Sequence, residues 1–382
     1  MKAHHSIEEK GSRFGAAVRD GVRLPPRIQR GREGKMIHFA CDYAEGAHEG
    51  VLRRLFETNL EQTAGYGEDP YCCRAQGLIR QLCRNESLEV HFLVGGTQTN
   101  TTVIAAALRP HQGVIAASSG HINVHESGAI ESTGHKVLAV PSRDGKLSAL
   151  DVRRVYQSHW EDETREHMVQ PGMVYLSQPT ENGTLYSLAE LTDLWETCQE
   201  LDLLLYIDGA RLGYGLMSPA CDMTLPDLAS RCDAFSFGGT KQGLLFGEAL
   251  VLANPALKRD FRYLIKQRGG LLAKGRLLGV QFCAILEDGL YFELSRHADR
   301  LAMELRRAFE ERGYEMLYDS YTNQQYPVLP DALLAALEED FLFSFWSKPD
   351  GNHTAVRVCT SWATESRAVQ ELIRALDRWD GT

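Results

Sequence analysis

No apolar run in these 382 residues approaches the roughly 18 needed to cross a bilayer, and the opening MKAHHSIEEKGSRF lacks the apolar stretch of a secretory leader. Positive charge is in deficit: 41 Lys and Arg stand against 51 Asp and Glu, a net of −10, which argues against a general nucleic-acid binder. The nine cysteines contain no C-x-x-C pair and no regular spacing, and the adjacent Cys72 and Cys73 suit neither a metal nor an easy disulfide. Reduced thiols, a cytoplasmic setting and no metal site are therefore expected. There is no Walker A run, no G-x-G-x-x-G fingerprint and no internal repeat.

What remains is ordinary globular composition, with 43% hydrophobic and 24% charged residues. A chain of this length exceeds one small core, so one large and one smaller domain are expected. Residues 1–35 are polar and locally basic around Pro25-Pro26, and read as a flexible extension or an arm to a partner subunit. A large domain is expected over residues 36–260 and a small α+β domain over 261–382.

Short apolar runs bounded by Gly and charge mark buried strands at residues 90–94, 114–118, 137–140, 174–177, 203–207, 234–237 and 249–252. Helical patterns alternate with them at 98–108, 124–132, 147–158 and 188–201. Such alternation predicts an α/β fold with a seven-stranded, mainly parallel sheet. Only a short Gly-rich link joins the last two strands, so the seventh is expected to turn back antiparallel. Beyond it, 256–282 reads as a long helix with a Gly-rich bend. Residues 288–312 read as an amphipathic helix, 333–339 and 365–379 as helices, and 314–317, 342–346 and 355–359 as strands.

The chemistry gathers where strands end, because ligands of α/β sheets sit beyond the carboxyl ends of the strands. The fifth run ends in Asp208-Gly209-Ala210-Arg211 and the sixth in Gly238-Gly239-Thr240-Lys241. A strand-end acid and a strand-end lysine, about one strand–helix–strand unit apart, are what pyridoxal 5'-phosphate (PLP) chemistry requires. The lysine forms the Schiff base and the acid pairs with the pyridinium nitrogen. Gly95-Gly96-Thr97 follows the first strand and opens a helix, where free N–H groups and the helix dipole favour a phosphate. His121, after the second strand, is placed to stack on a pyridine ring or move a proton, or else to bond backbone as a loop histidine. Glu181, in Thr180-Glu181-Asn182-Gly183 after the fourth strand, adds an acid to the rim or completes a polar turn.

Taken in order, these motifs resemble the threonine aldolase / aromatic amino acid β-eliminating lyase family of fold-type-I PLP enzymes. The resemblance rests on Tyr66-Gly67-Glu68-Asp69-Pro70, Gly96-Thr97 with Asn100, His121-Ile122, Glu126-x-Gly128, Asn182-Gly183, Asp208 through Leu212, and Lys241 before a Gly-rich segment. It implies that Lys241 anchors PLP and Asp208 pairs with its ring nitrogen. Gly96 and Thr97 would bind phosphate, His121 would stack on the ring, and Arg211 would contact the cofactor or the substrate carboxylate. It also implies that the Tyr66 loop reaches a neighbouring subunit's site in a homodimer or homotetramer. Arg357, on a late strand, is a candidate carboxylate clamp, since the guanidinium fork meets a carboxylate at two points. The implied reaction is aldol cleavage of a threonine-like β-hydroxy-α-amino acid to glycine and an aldehyde, with His121, Glu181 or a water between them as base. β-Elimination on an amino acid is the alternative, and a catalytically silent binding protein is disfavoured by the presence of Lys241. Three departures stand out: the family's Ser-Asp is Cys41-Asp42 here, the family's usual histidine after the fourth strand is replaced by Glu181, and Lys241 follows Thr240 where the family often has Ser-Lys.

Overall fold

The structure, a computed structural model, describes residues 36–379. The expected extension over residues 1–35 lies outside them. The central sheet has seven strands: β1 (Glu89–Leu93), β2 (Gln112–Ala117), β3 (Val137–Val140), β4 (Gln170–Ser177), β5 (Leu204–Asp208), β6 (Ala234–Gly238) and β7 (Glu248–Leu252). Their spatial order is β1-β7-β6-β5-β4-β2-β3. The pairs β6–β5, β5–β4, β4–β2 and β2–β3 are parallel, whereas β7 runs antiparallel to both β1 and β6. The short link after β6 has no room for a crossover helix, and the antiparallel turn is its consequence.

Both faces of this sheet are buried, which is why its strands read as unbroken apolar runs rather than alternating ones. Leu205 and Ile207 enter one apolar cluster with Val174, Leu176, Phe235 and Phe237. Their neighbour Tyr206 points the other way, into a cluster with Val103, Ile104, Val114 and Tyr175. Helices Ala149–Trp160 and Leu188–Glu200 each begin with a capping box, Ser148 with Asp151 and Ser187 with Glu190. Helix Pro70–Leu82 opens on a proline, whose missing N–H costs nothing in a first turn, and the Asp69 carboxylate accepts from Cys72 N.

Two segments expected to be helical differ from the sequence expectation. Residues 124–132 do not form a continuous helix. A four-residue turn, His121–Val124, is broken by Ser127 and Gly128, both at positive φ (52° and 73°), before a 3₁₀ turn at Glu131–Thr133. Residues 256–282 divide into Pro255–Lys258, Phe261–Gln267 and the start of Arg276–Leu286, because Asp260 and Gly269 also take positive φ.

A third apolar cluster joins Phe39 to Leu301, Leu305, Phe309, Val356, Val358, Val369 and Leu372. Helix Leu290–Glu311 presents Leu301, Leu305 and Phe309 to it at helical spacing. Strand His353–Cys359 pairs antiparallel with Val328–Pro330 and Ser344–Ser347, and its far end meets Gln324–Gln325. The expected strand at 314–317 is reduced to a single bridge between Met316 and Pro327. Strand Ile37–His38 pairs in parallel with Phe341–Leu342, so the first described residues belong to this cluster. No helix among the described residues is long and apolar enough to cross a membrane.

Candidate active site

The carboxyl ends of β4, β5 and β6 and the loop after β1 surround a cavity of about 200 Å³ lined by Gly95, Gly96, Thr97, His121, Ser177, Glu181, Asp208, Arg211, Lys241 and Glu248, among others. Seven of the nine residues expected at the site therefore converge on one space. Two glycines make the floor close enough. A Cβ on Gly209 would lie 2.1 Å from Ser236 O, and one on Gly238 would lie 2.5 Å from Ala210 O. Only glycine lets the ends of β5 and β6 approach this closely.

Asp208 ends β5, in register with Ser177 at the end of β4. Its Oδ2 accepts from Tyr175 Oη (2.7 Å) and Asn100 Nδ2 (3.0 Å), and its Oδ1 accepts from Ala210 N (2.9 Å) and Ser236 Oγ (3.3 Å). Burial alone would raise its pKa, but the His121 charge and these donors outweigh burial and lower it. Asn100 organises the neighbourhood. Its amide oxygen accepts from Tyr206 Oη at 2.7 Å, which directs Nδ2 to Asp208 and to Glu126 Oε1 (2.7 Å). Glu126 Oε1 in turn holds His121 Nδ1 at 2.7 Å. Burial disfavours a charged His121 ring, yet the hydrogen bond to Glu126 and the charges of Asp208 and Glu126 leave its pKa raised. With Nδ1 committed, only Nε2 is left for anything in the cavity.

Lys241 sits in the turn Thr240–Gln242 after β6 and lines the same cavity. Burial, then the Arg211 charge, lowers its pKa against the opposing pull of Asp42, Glu248 and Asp208. A larger neutral fraction of Nζ is what attack on an aldehyde requires. Glu181 Oε1 accepts from His121 N (2.8 Å) and Ser177 Oγ (2.7 Å). Burial nevertheless raises its pKa. Arg211 lines the cavity but commits Nε and Nη2 to Asp42, at 2.7 and 2.9 Å. Asp42 is fully buried and also accepts from Asn323 Nδ2 at 2.9 Å. Removing one partner of such a pair strands the other charge. Asp42→Asn is thus expected to lower stability by about 3–5 kcal/mol, read as a shift in the urea midpoint.

Two expected residues stand apart from the cavity wall. Arg357 lies on the strand His353–Cys359, donates from Nη2 to Ala40 O at 3.1 Å, and has a buried Nε with no acceptor among the described residues. Tyr66, at φ 59°, is exposed, and Lys266 Nζ lies 4.8 Å from its ring centroid. Glu248, Ser177, Ser236 and Tyr175 escaped the sequence reading. Glu248 had a visible signal, being the one charged residue in the fully buried run EALVL. The others needed the register between strands.

The cavity fits PLP on its own terms. Lys241 shares the cavity with the Asp208 carboxylate, which four donors hold. Helix Gly96–Ala107 begins with no side-chain cap, and a Cβ at Gly95 or Gly96 would meet nothing within 4 Å, so its first N–H groups are open to an anion. When bound, PLP would supply an electron sink for bonds at an amino acid's α-carbon. Fold and site together define a PLP-dependent enzyme of fold type I.

Comparison with known proteins sharpens the class. The model of the beta-eliminating lyase family matches residues 39–331. The chain is 30% identical to a low-specificity L-threonine aldolase of Pseudomonas aeruginosa over 88% of this chain and 96% of that protein. The solved structure of a Leishmania major threonine aldolase superposes with a TM-score of 0.87 at 43% identity, covering 90% of this chain and 99% of that one. A double mutant of Thermus thermophilus aspartate aminotransferase shares the fold, with a TM-score of 0.64 at 15% identity over 90% and 91% of the two chains. The chain belongs to the beta-eliminating lyase family and is a PLP-dependent lyase.

Proposed function

We propose that this lyase cleaves the Cα–Cβ bond of a threonine-like β-hydroxy-α-amino acid, releasing glycine and an aldehyde. The observation that carries the reading is a stretch of cavity wall where His121 and Glu181 are joined through the His121 N–H. Aldol cleavage needs a group to take the β-hydroxyl proton, and this wall offers two. The relatives in Pseudomonas and Leishmania, both named threonine aldolases, support the same reading.

In this proposal Lys241 anchors the cofactor and Asp208 holds the proton on its ring nitrogen. Gly96 and Thr97 take the phosphate, and His121 covers the ring while offering Nε2. Arg211, fixed by Asp42, lends positive charge to the rim. Arg357 receives the substrate carboxylate, a role supported by its unpartnered buried Nε. The Tyr66 loop, away from the cavity of its own chain, contributes to a neighbour's site in a homodimer or homotetramer that works in the cytoplasm. The small-molecule amino acid is the partner, with no role for nucleic acid.

The test is incubation of the holoenzyme with threonine, allo-threonine and phenylserine, assaying glycine and aldehyde. Stoichiometric release of both supports aldol cleavage. Ammonia and a keto acid without glycine would instead indicate β-elimination. Glu181→Gln separates the two candidate bases. A group whose pKa is raised loses its function as a base when pH falls through that higher value. If Glu181 takes the hydroxyl proton, the variant loses roughly 10²–10⁴-fold in kcat and also the acidic limb of the pH–rate profile, with cofactor absorption unchanged. Parental kcat with the parental profile would assign the base to His121.

A further inference from the structure

Glu248 is the one carboxylate of the cavity that the proposed chemistry does not use. It opens β7, in register with Leu93 of β1 on one side and Gly238 of β6 on the other. β1 continues two residues on into Gly95-Gly96-Thr97, and β6 continues three residues on into Lys241. Glu248 therefore stands between the anion cradle and the lysine, and all of them line the same cavity. It is only 4% exposed, and its Oε2 is buried with no hydrogen-bond partner among the described residues. A buried carboxylate oxygen without a donor is costly, and less so when it carries a proton that a ligand can accept.

The groups that face Glu248 limit what it can do. From the β6 side come Lys241, the Thr240 hydroxyl and the Gly239 N–H. From β5 come Asp208 and the phenol of Tyr206, and from helix Leu290–Glu311 the phenol of Tyr291. Lys241 is the cation among them, and the other strong cation of the cavity, Arg211, is already held by Asp42. Among the described residues that line the cavity there is no second arginine to serve the cradle, and a helix N-terminus supplies only about half a positive charge. A phosphate dianion in the cradle would repel an ionised Glu248 and would accept a hydrogen bond from a protonated one. Burial pushes the pKa of Glu248 up to about 8, against the opposing Lys241 charge, so the proton is at hand near neutral pH.

We propose that Glu248 is the proton-carrying wall of the phosphate subsite, taking a proton from solvent when a phosphate monoester dianion enters the Gly95–Thr97 cradle and donating it to that anion as a hydrogen bond. The proposal rests on the PLP reading of the cavity. Its consequence is that anion affinity falls with pH above about 8, where each binding event must also take up a proton.

The test uses cofactor-free full-length protein, wild type and Glu248→Gln, titrated first with inorganic phosphate and then with PLP. Calorimetry at pH 7 and pH 9.5, in buffers of differing ionisation enthalpy, gives proton uptake. At pH 9.5 wild type is expected to take up about one more proton per phosphate than the variant, whose amide donates permanently. The ratio of the wild-type to the variant Kd should rise about tenfold per pH unit above 8. Equal proton counts and a pH-independent ratio would overturn the proposal. Where the variant does not fold, the infrared difference spectrum of wild type decides. Phosphate binding at high pH must produce a protonated-carboxyl stretch, and its absence overturns the proposal. If both proteins bind PLP with equal proton counts, the carrier fails while the PLP reading stands. If both bind phosphate with the expected difference but neither binds PLP, the PLP reading fails and the carrier stands.

Discussion

Lys241→Ala is expected to remove the visible absorption of bound PLP and to cut turnover on the order of 10⁵–10⁶-fold, the scale seen when a covalent nucleophile is deleted. The physical reason is positional. Among the residues lining the cavity, Lys241 is the only lysine, and its pKa is lowered by burial and by Arg211. Arg211 cannot substitute, because a guanidinium stays protonated and two of its nitrogens are bound to Asp42. The measurement is borohydride reduction followed by peptide mapping. Wild type should carry the cofactor on the peptide containing Lys241, and the variant should carry none. A reducible adduct together with activity in the variant would place the anchor elsewhere.

Asp208→Asn is expected to leave PLP bound and lower kcat roughly a thousandfold, the upper range for losing one preorganised electrostatic contact. Two effects act together. The amide carries no charge to hold a proton on the ring nitrogen, so the electron sink weakens. In addition, the carboxylate accepts from Tyr175, Asn100, Ala210 N and Ser236, and an amide NH₂ would turn one of those contacts into donor against donor. The His121 pKa should also fall, because the Asp208 charge is one of the influences that raise it. That change can be followed by NMR of the ring independently of turnover. Wild-type kcat in Asp208→Asn, with an unchanged His121 titration, would refute the pairing.

The sheet was legible strand by strand because the pattern that reveals it is local. Strands buried on both faces leave apolar runs, and the expectation at 137–140 coincides with β3. Other boundaries slipped where the run began in polar or Pro residues. β4 starts at Gln170, four residues before the run at 174–177. The helix expected at 124–132 failed because Ser127 and Gly128 both take positive φ; the glycine allows that conformation, but nothing in the serine announces it. The rim residues Asp208, Lys241, His121 and Glu181 were legible because the end of a strand is also a place in the sequence, and in parallel α/β sheets that place is where ligands bind.

Sequence by itself determined the alternation of strands and helices, the antiparallel return of β7 and the residues delivered to the rim. Only the tertiary structure decided which of those residues meet. The Asp42 carboxylate claims Arg211 across 169 positions, Asn100 bridges Asp208 and Glu126 across 108 and 26, and Glu248 falls between the cradle and Lys241. Arg357, expected at this site, and Tyr66, expected at a neighbour's, are not among the residues that line the cavity. The reason is physical: periodicity and capping act over a few residues and are written locally. The partner of a buried charge is instead set by strand register and order, which arise when the whole sheet closes over its core.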